Sequence, residues 1–405
     1  MSALLEALTL QAGYNTSLVL VGSALLGAGA GAIGVFVLLR KRALVSDAIS
    51  HATLPGIALA FLFGAYVLGD GRSLALLLIG AAFSAGIGVL AVDFMTRYTR
   101  LAEDTAIGTV LSTFFALGIV LLTFIQSLNI AGQAGLSSFI LGSTAGLLLQ
   151  DAYLIAAAAL AVVVVLLIKV RDFTLLCFDP VFAEASGLKI ASLDRLLLLL
   201  LLAIVVIGFK TAGLVLVIAL TIIPPVAARF WTDRVGPMTV ISAAIGALGS
   251  YTGASISSIA ADLPTGGLIV LTLFVAFTVS LLAAPKRGVL ALWIKQWRFS
   301  RIVHRRQGLL AMARGEPIFD NLTRKMLLRE GLMRADGAAT PKGAIEAQAM
   351  ARDQALWNAY RRSYPTEALM LDEWSLAPID TVLPKDLIDS LRPELAPHAV
   401  NEVKQ

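Results

Sequence analysis

Long apolar runs, broken by short stretches rich in Arg, Lys, Gly and Pro, fill the first two thirds of the chain. Nine runs read as membrane spans: Ser17–Leu39, Leu54–Leu68, Leu74–Phe94, Ile107–Ile125, Ala152–Ile168, Leu196–Phe209, Leu214–Ala228, Met238–Ser258 and Gly267–Ala284. A helix needs about 20 such residues to cross the hydrocarbon of a bilayer. The second and sixth runs are short, which predicts a tilted or broken helix. Thr123 to Asp151 reads as an outer loop, and its piece SSFILGSTAGLLL suits a short helix at the membrane surface or dipping into it. Gly27 and Gly31 on the first span predict close approach of another helix. After about Lys286 the pattern turns amphipathic, and Pro, Arg and Trp appear together. The expectation is an all-α polytopic membrane protein of 8–9 transmembrane helices over residues 1–285. A small cytoplasmic domain, α-helical or winged-helix-like, occupies 286–405. Trp293 and Trp297 stand near its start, where aromatic rings favour the membrane interface.

Composition agrees with the pattern. The chain has 405 residues, 58% hydrophobic and 15% charged, with mean hydropathy +0.84. Soluble domains carry about 25% charged residues, so a water-soluble globular protein is excluded. No secretory leader with a small-residue cleavage site is evident, and the first run is long enough to span. Cys177 is the one cysteine, which rules out an internal disulfide and argues against a cysteine metal site. The distribution of charge says more than its net +5. With the N-terminus outside, the inner loops hold Arg40, Lys41, Arg42, Arg97, Arg100, Lys169, Arg171, Lys189, Arg195, Arg229 and Arg234. The outer loops hold only Arg72 and Lys210. The positive-inside rule therefore places the C-terminus in the cytoplasm. A tight bend at Lys210 within one broken helix changes the count and the orientation of the later spans.

The stretch Arg40 to Ala60, RKRALVSDAISHATLPGIALA, concentrates the chemistry. Asp47 and His51 are four residues apart and stack on one face of a helix. A carboxylate and an imidazole at the mouth of a membrane segment are costly, and the default reading is an ion or proton path. Oxygen and nitrogen ligands on adjacent turns suit a divalent Mn, Fe or Zn, though two ligands do not hold a metal alone. The plainer alternative is a capping Asp with a bystander His. Glu103 and Asp104, just before the fourth run, stabilise a helix N-terminus in the simple reading. In the other they join Asp47 and His51 to make four ligands from two helix starts.

Phe178 to Leu188, FDPVFAEASGL, predicts a short helix in an inner loop, with Asp179 as cap, Pro180 at the first position and Gly187 as the end. Phe178, Val181, Phe182 and Ala185 give it an apolar side for the membrane surface or a soluble partner, as in a helix that docks into an ATPase groove. No phosphate-binding G-x-x-x-x-G-K-[ST] pattern is present, so any ATPase is a separate chain. Pro224 and Pro225 are expected to break the seventh span near its inner end. Asp262 and Pro264 read as caps of the last span, and His304 and His398 as solvated.

Taken together, RKRALVSDAISHATLPGIALA, AEDTAIGTVLSTFFALGIVLL, FDPVFAEASGL, AGLVLVIALTIIPPVAARF and ADLPTGGLIVL resemble, in order, the membrane subunits of ABC importers for manganese, zinc and iron(II). The resemblance covers about Leu18 to Pro285. It implies a dimer with a second permease copy or paralogue, cytoplasmic ATPase subunits, and a periplasmic or lipid-anchored metal-binding protein, all at a bacterial inner membrane. It also implies that Asp47 and His51 are path ligands, with Glu103 and Asp104 matching a second acidic block. Asp179, Pro180, Ala183, Gly187 and Leu188 match the ATPase-docking segment. No permanently bound cofactor is expected, only the transported divalent ion. Residues 321–365, ending LLREGLMRADGAATPKGAIEAQAMARDQALWNAYRRSYP, resemble the winged helix and following helix of diphtheria-toxin-repressor-type regulators. Gln354 and Asn358 replace the metal-ligand His and Glu usual there, which argues against metal sensing; the membrane tether and the tail's modest charge favour a docking module over DNA binding, and no nucleic acid is expected. Two further classes stay open at this point: a proton-coupled secondary metal transporter and a membrane metal sensor signalling through its tail.

Overall fold

The architecture follows from which small residues let helices meet. The structure, a computed structural model, describes residues 6–11, 13–68, 73–128, 148–259, 263–285, 287–371 and 376–395. They form two compact units, Met1–Ala291 and Leu292–Gln405. The first contains α1 (Tyr14–Leu39), α2 (Val45–Phe63), α3 (Leu74–Tyr98), α4 (Glu103–Ser127), α5 (Leu149–Phe178), α6 (Pro180–Ala185), α7 (Ile190–Arg229), α8 (Val235–Ser257) and α9 (Thr265–Ala283). Among the described residues, eight helices are long and apolar enough to cross a membrane, and a shorter apolar helix, Val215–Arg229, stands beside them.

The axis of this unit is α1. Apolar side chains gain little from meeting each other rather than lipid, so close backbone packing must hold the helices together. A Cβ on Gly27 would collide with the Gly246 carbonyl, and Ser242 Oγ donates to the Gly31 carbonyl at 2.6 Å. The two pairings run in opposite senses, so α8 is antiparallel to α1. Gly29 lies on Ala159 and Phe36 on Phe173, with ring centroids 5.6 Å apart, so α5 runs parallel to α1. On the other side α2 meets α3 back to back at Gly56 and Gly80.

Two expectations change. The second span does not begin at Leu54: α2 is helical from Val45, so Asp47 and His51 lie inside it rather than at its mouth. Its early polar residues satisfy themselves. Ser46, Ser50 and Thr53 donate to the carbonyls of Ala43, Ser46 and Ser50 at 2.8, 2.7 and 2.6 Å. A hydropathy window sees those hydroxyls as breaks, whereas a helix absorbs them. The prolines of α7 likewise do not end it. The interruption is at Gly213, with φ 74° and ψ 168°, a region essentially reserved for glycine. There the chain turns back. Ile204 sits at Gly29 and Gly208 at Leu26, yet Val217 lies against Gly208, and Thr221 and Pro225 lie against Gly34. Ile190–Phe209 and Val215–Arg229 are therefore antiparallel limbs, as the separate sixth and seventh runs predicted. Pro225 withholds the hydrogen bond that Thr221 O would accept, and only a glycine at 34 leaves room for that carbonyl and the proline ring.

The loop expected over Thr123 to Asp151 falls largely outside the described residues, although α4 carries Thr123 and runs on to Ser127. Asp262 and His398 lie outside them too. Pro264 occupies the N-cap position of α9 without a side-chain bond.

The second unit contains most of α10 (Val289–Arg314), then α11 (Asn321–Arg329), α12 (Pro341–Ser363), α13 (Pro365–Met370), α14 (Ile379–Val382) and α15 (Lys385–Leu395). Asp320 caps α11 and Thr340 caps α12. Between them a tight reversal pairs Met333 with Ala339 as an isolated antiparallel bridge. One core joins Leu309, Leu327, Leu332, Met333 and Ala347; another joins Trp357, Tyr360, Ile379, Leu383, Ile388 and Leu391. His304, expected to be solvated, is 3.1 Å from Asp320 and 3.0 Å from Thr323 Oγ1.

Candidate functional site

Helical spacing on α2 puts His51 one turn beyond Asp47, and His51 Nε2 stands 3.3 Å from Asp47 Oδ1. The side chains are 18% and 30% exposed, so both reach a surface of this chain rather than its core. The edge of the imidazole faces Phe115 of α4, with centroids 4.9 Å apart at 82°. His51 Nδ1 is buried and has no hydrogen-bond partner. A buried nitrogen left in that state costs roughly 1–3 kcal/mol, an expense typical of a functional position. Among the described residues neither Lys nor Arg pairs with Asp47.

Glu103 and Asp104 are not brought to this couple. Glu103 pairs with Arg42, and Asp104 is exposed at the start of α4. Among the described residues no three His, Cys, Asp or Glu side chains gather to hold a metal. Within one chain, then, the site is a two-ligand couple.

Arg42 belongs to an ionic cluster at the end of the bundle where α1 passes to α2. Arg42 pairs with both Glu103 and Asp194, and Arg40 Nε is 3.3 Å from Asp194. Arg40 also donates to the Leu176 carbonyl at 3.3 Å, near the end of α5. Burial opposes the charge of Arg42, but Asp194 and Glu103 outweigh it and hold its pKa above the ordinary value. Sequence reasoning passed over Asp194, although an acid opening the run LDRLLLLLLLA is itself an anomaly in an apolar segment.

The same end carries α6. Asp179 accepts from the Phe182 amide at 2.9 Å, Pro180 opens the helix, and Gly187 at φ 85° closes it. The backbone bond from Leu188 to the Ala183 carbonyl, 3.0 Å, fastens the turn. Ala183 is the buried contact, whereas Phe178, Val181 and Phe182 are 62%, 78% and 57% exposed. Ala185, expected on the apolar side, is exposed. Phe178 at the end of α5 and Val181 and Phe182 on α6 are three uncovered apolar side chains that form a knob for another surface.

A bundle of membrane-length helices, with an acid–imidazole couple on one of them and an apolar knob at one end, is a polytopic membrane protein. A model of the ABC 3 transport family matches residues 14–284, and the chain belongs to that family. This membership decides for an ABC transport permease over a proton-coupled carrier. The manganese transport system membrane protein MntC of Bacillus subtilis (strain 168) is 40% identical over 308 residues, 76% of this chain and 70% of that protein. The zinc transport system membrane protein TroC of Treponema pallidum (strain Nichols) is 36% identical over 71% of this chain and 94% of its own length. Among solved structures, PsaBC from Streptococcus pneumoniae in complex with Fab aligns with TM-score 0.60 and 29% identity, covering 70% of this chain and 96% of that one.

Proposed function

We propose that this chain is the multi-pass permease subunit of an ABC importer that carries a divalent transition metal, Mn, Zn or Fe, across a bacterial plasma membrane. The observation that carries the reading is the Asp47–His51 couple: two metal-type ligands in contact, partly exposed, unclamped by any described cation. Carboxylate oxygen and imidazole nitrogen replace part of the ion's water shell during passage. Because one chain supplies two ligands, a second permease copy or paralogue presenting the same couple completes a four-ligand sphere. Glu103 is neutralised by Arg42, so we assign it to the frame of the permease and leave Asp104 as a helix-terminal acid.

Positive-inside bias supports placing the Arg40, Arg42 and α6 end in the cytoplasm and the N-terminus outside. ATP hydrolysis then belongs to a partner ATPase, whose groove receives Phe178, Val181 and Phe182, and a metal-binding protein delivers the ion at the opposite face. We read residues 321–365 as a winged-helix-like docking module. Gln354 accepts from Arg306 at 2.8 Å and donates to Asn358 at 3.1 Å, which supports structural work over metal sensing.

The test is metal uptake by the assembled transporter in vesicles. Asp47→Ala and His51→Ala should each abolish uptake while leaving membrane insertion and ATPase association intact. Normal uptake by both variants sinks the site assignment.

A further inference from the structure

Helix α10 is two different helices in one. From Arg305 onward it is a wall of the second unit. Arg305 pairs with Glu330 and Glu346, Arg306 with Gln354, and Leu309 is 1% exposed. Leu292 to Phe299 is the opposite: every residue is exposed, including Leu292, Trp293, Ile294, Trp297 and Phe299. Eight consecutive residues cover more than two turns, so no side of this stretch is covered. Uncovered apolar surface of that kind marks an interaction surface.

Charge narrows the partner. Lys295, Arg298 and Arg301 recur every third residue and form a stripe, and no Asp or Glu occurs from Val289 to Gly315. Trp293 and Trp297 form a second stripe at i, i+4, and the Arg301 guanidinium lies 4.9 Å from the Trp297 ring centroid. Position narrows it further. The last span ends at Ala283, the Gly288 amide bonds back to the Ala284 carbonyl at 2.9 Å, and Arg287 is tied at 2.7 Å to Asp233 in the turn between α7 and α8. The chain thus enters α10 directly from the end of the last span. Trp293 follows Arg287 by six residues in the chain, a connection of at most about 20 Å even if fully extended, so the stretch begins within a short reach of the last span.

We propose that Leu292–Ile302 is an interfacial helix that binds anionic phospholipid headgroups of the leaflet at which the last span, α9, ends. Lys295, Arg298 and Arg301 meet lipid phosphates, and Trp293 and Trp297 sit at the boundary of headgroup and acyl chain. The same stretch of a second copy is a poorer occupant, because it would bring the same three cations and no acid. Lipid binding of this kind needs only the membrane-spanning bundle and is independent of the metal couple. Each cation near an anionic surface favours binding about fivefold, roughly 100-fold for three.

The full chain, carrying Cys177→Ser and a fluorophore on Ile294→Cys, is placed in nanodiscs of phosphatidylcholine alone or mixed with phosphatidylglycerol. Lipids brominated in their acyl chains serve as quenchers. Strong quenching is expected with phosphatidylglycerol. It should weaken in phosphatidylcholine, in high salt, and in the triple variant Lys295→Glu, Arg298→Glu, Arg301→Glu. The salt titration needs no charge variant, so misfolding of the triple variant does not decide the matter. Absence of quenching in both bilayers overturns the proposal. So does quenching that ignores lipid charge and salt, or shielding of the label that arises only when a partner ATPase is added.

Discussion

Replacing Asp194 by Ala removes the shared partner of Arg40 and Arg42. The Asp194 side chain is 7% exposed, and those of Arg40 and Arg42 are 22% and 15% exposed. Stranding a buried charge typically costs about 3–5 kcal/mol. The lower end applies here, because Arg42 keeps Glu103 and Arg40 keeps the Leu176 carbonyl. The expected loss is about 3 kcal/mol, a shift of over 100-fold in the folding equilibrium. The assay is unfolding in mixed micelles titrated with dodecyl sulfate and followed by circular dichroism. Combining Asp194→Asn with Arg42→Met should cost less than the two changes separately, by roughly 1–3 kcal/mol, because the pair is in direct contact. A parent-like unfolding curve for Asp194→Ala, or strict additivity in the cycle, refutes the view that this cluster ties the turn after α1 to α4, α5 and α7.

Gly213→Ala places a Cβ where φ is 74° and ψ 168°, and should cost about 1–3 kcal/mol in the same unfolding assay; no change would argue against the reversal between the limbs of α7. Val181→Asp with Phe182→Asp should reduce metal-stimulated, ATP-driven uptake and ATPase co-purification without altering the unfolding midpoint, since both residues are mostly exposed; retained ATPase association contradicts the docking role. The Thr323 hydroxyl and amide hold the Asp320 carboxyl below its ordinary pKa of 3.8. Its cap is therefore fully present above that value and is lost as the pH falls through the depressed pKa. Hydrogen exchange of the peptide covering α11 should accelerate over that acid range in the parent but show no such step in Asp320→Ala.

The spans were legible because hydropathy is a local property, and the Asp179–Gly187 turn was legible because caps and glycine stops act within a few residues. The contact between Asp47 and His51 followed from helical spacing alone. The misreadings were either hidden or long-range. The start of α2 was misplaced because Ser46, Ser50 and Thr53 look polar but bond to their own helix. Nothing local shows that Arg42, some sixty residues earlier, pairs with Glu103 as well as with Asp194, so that ion pair was not legible. Paired prolines drew attention from Gly213, whose backbone makes the actual turn. His304 looked isolated because its partners, Asp320 and Thr323, lie on the next helix.

The most direct measurement is pulsed electron paramagnetic resonance of the assembled permease loaded with Mn²⁺. Hyperfine coupling to an imidazole nitrogen is expected in the parent and should vanish in His51→Gln, with weaker Mn²⁺ binding in Asp47→Asn. Nitrogen coupling that survives His51→Gln, or Mn²⁺ binding indifferent to both substitutions, contradicts the assignment of this couple to the ion's path.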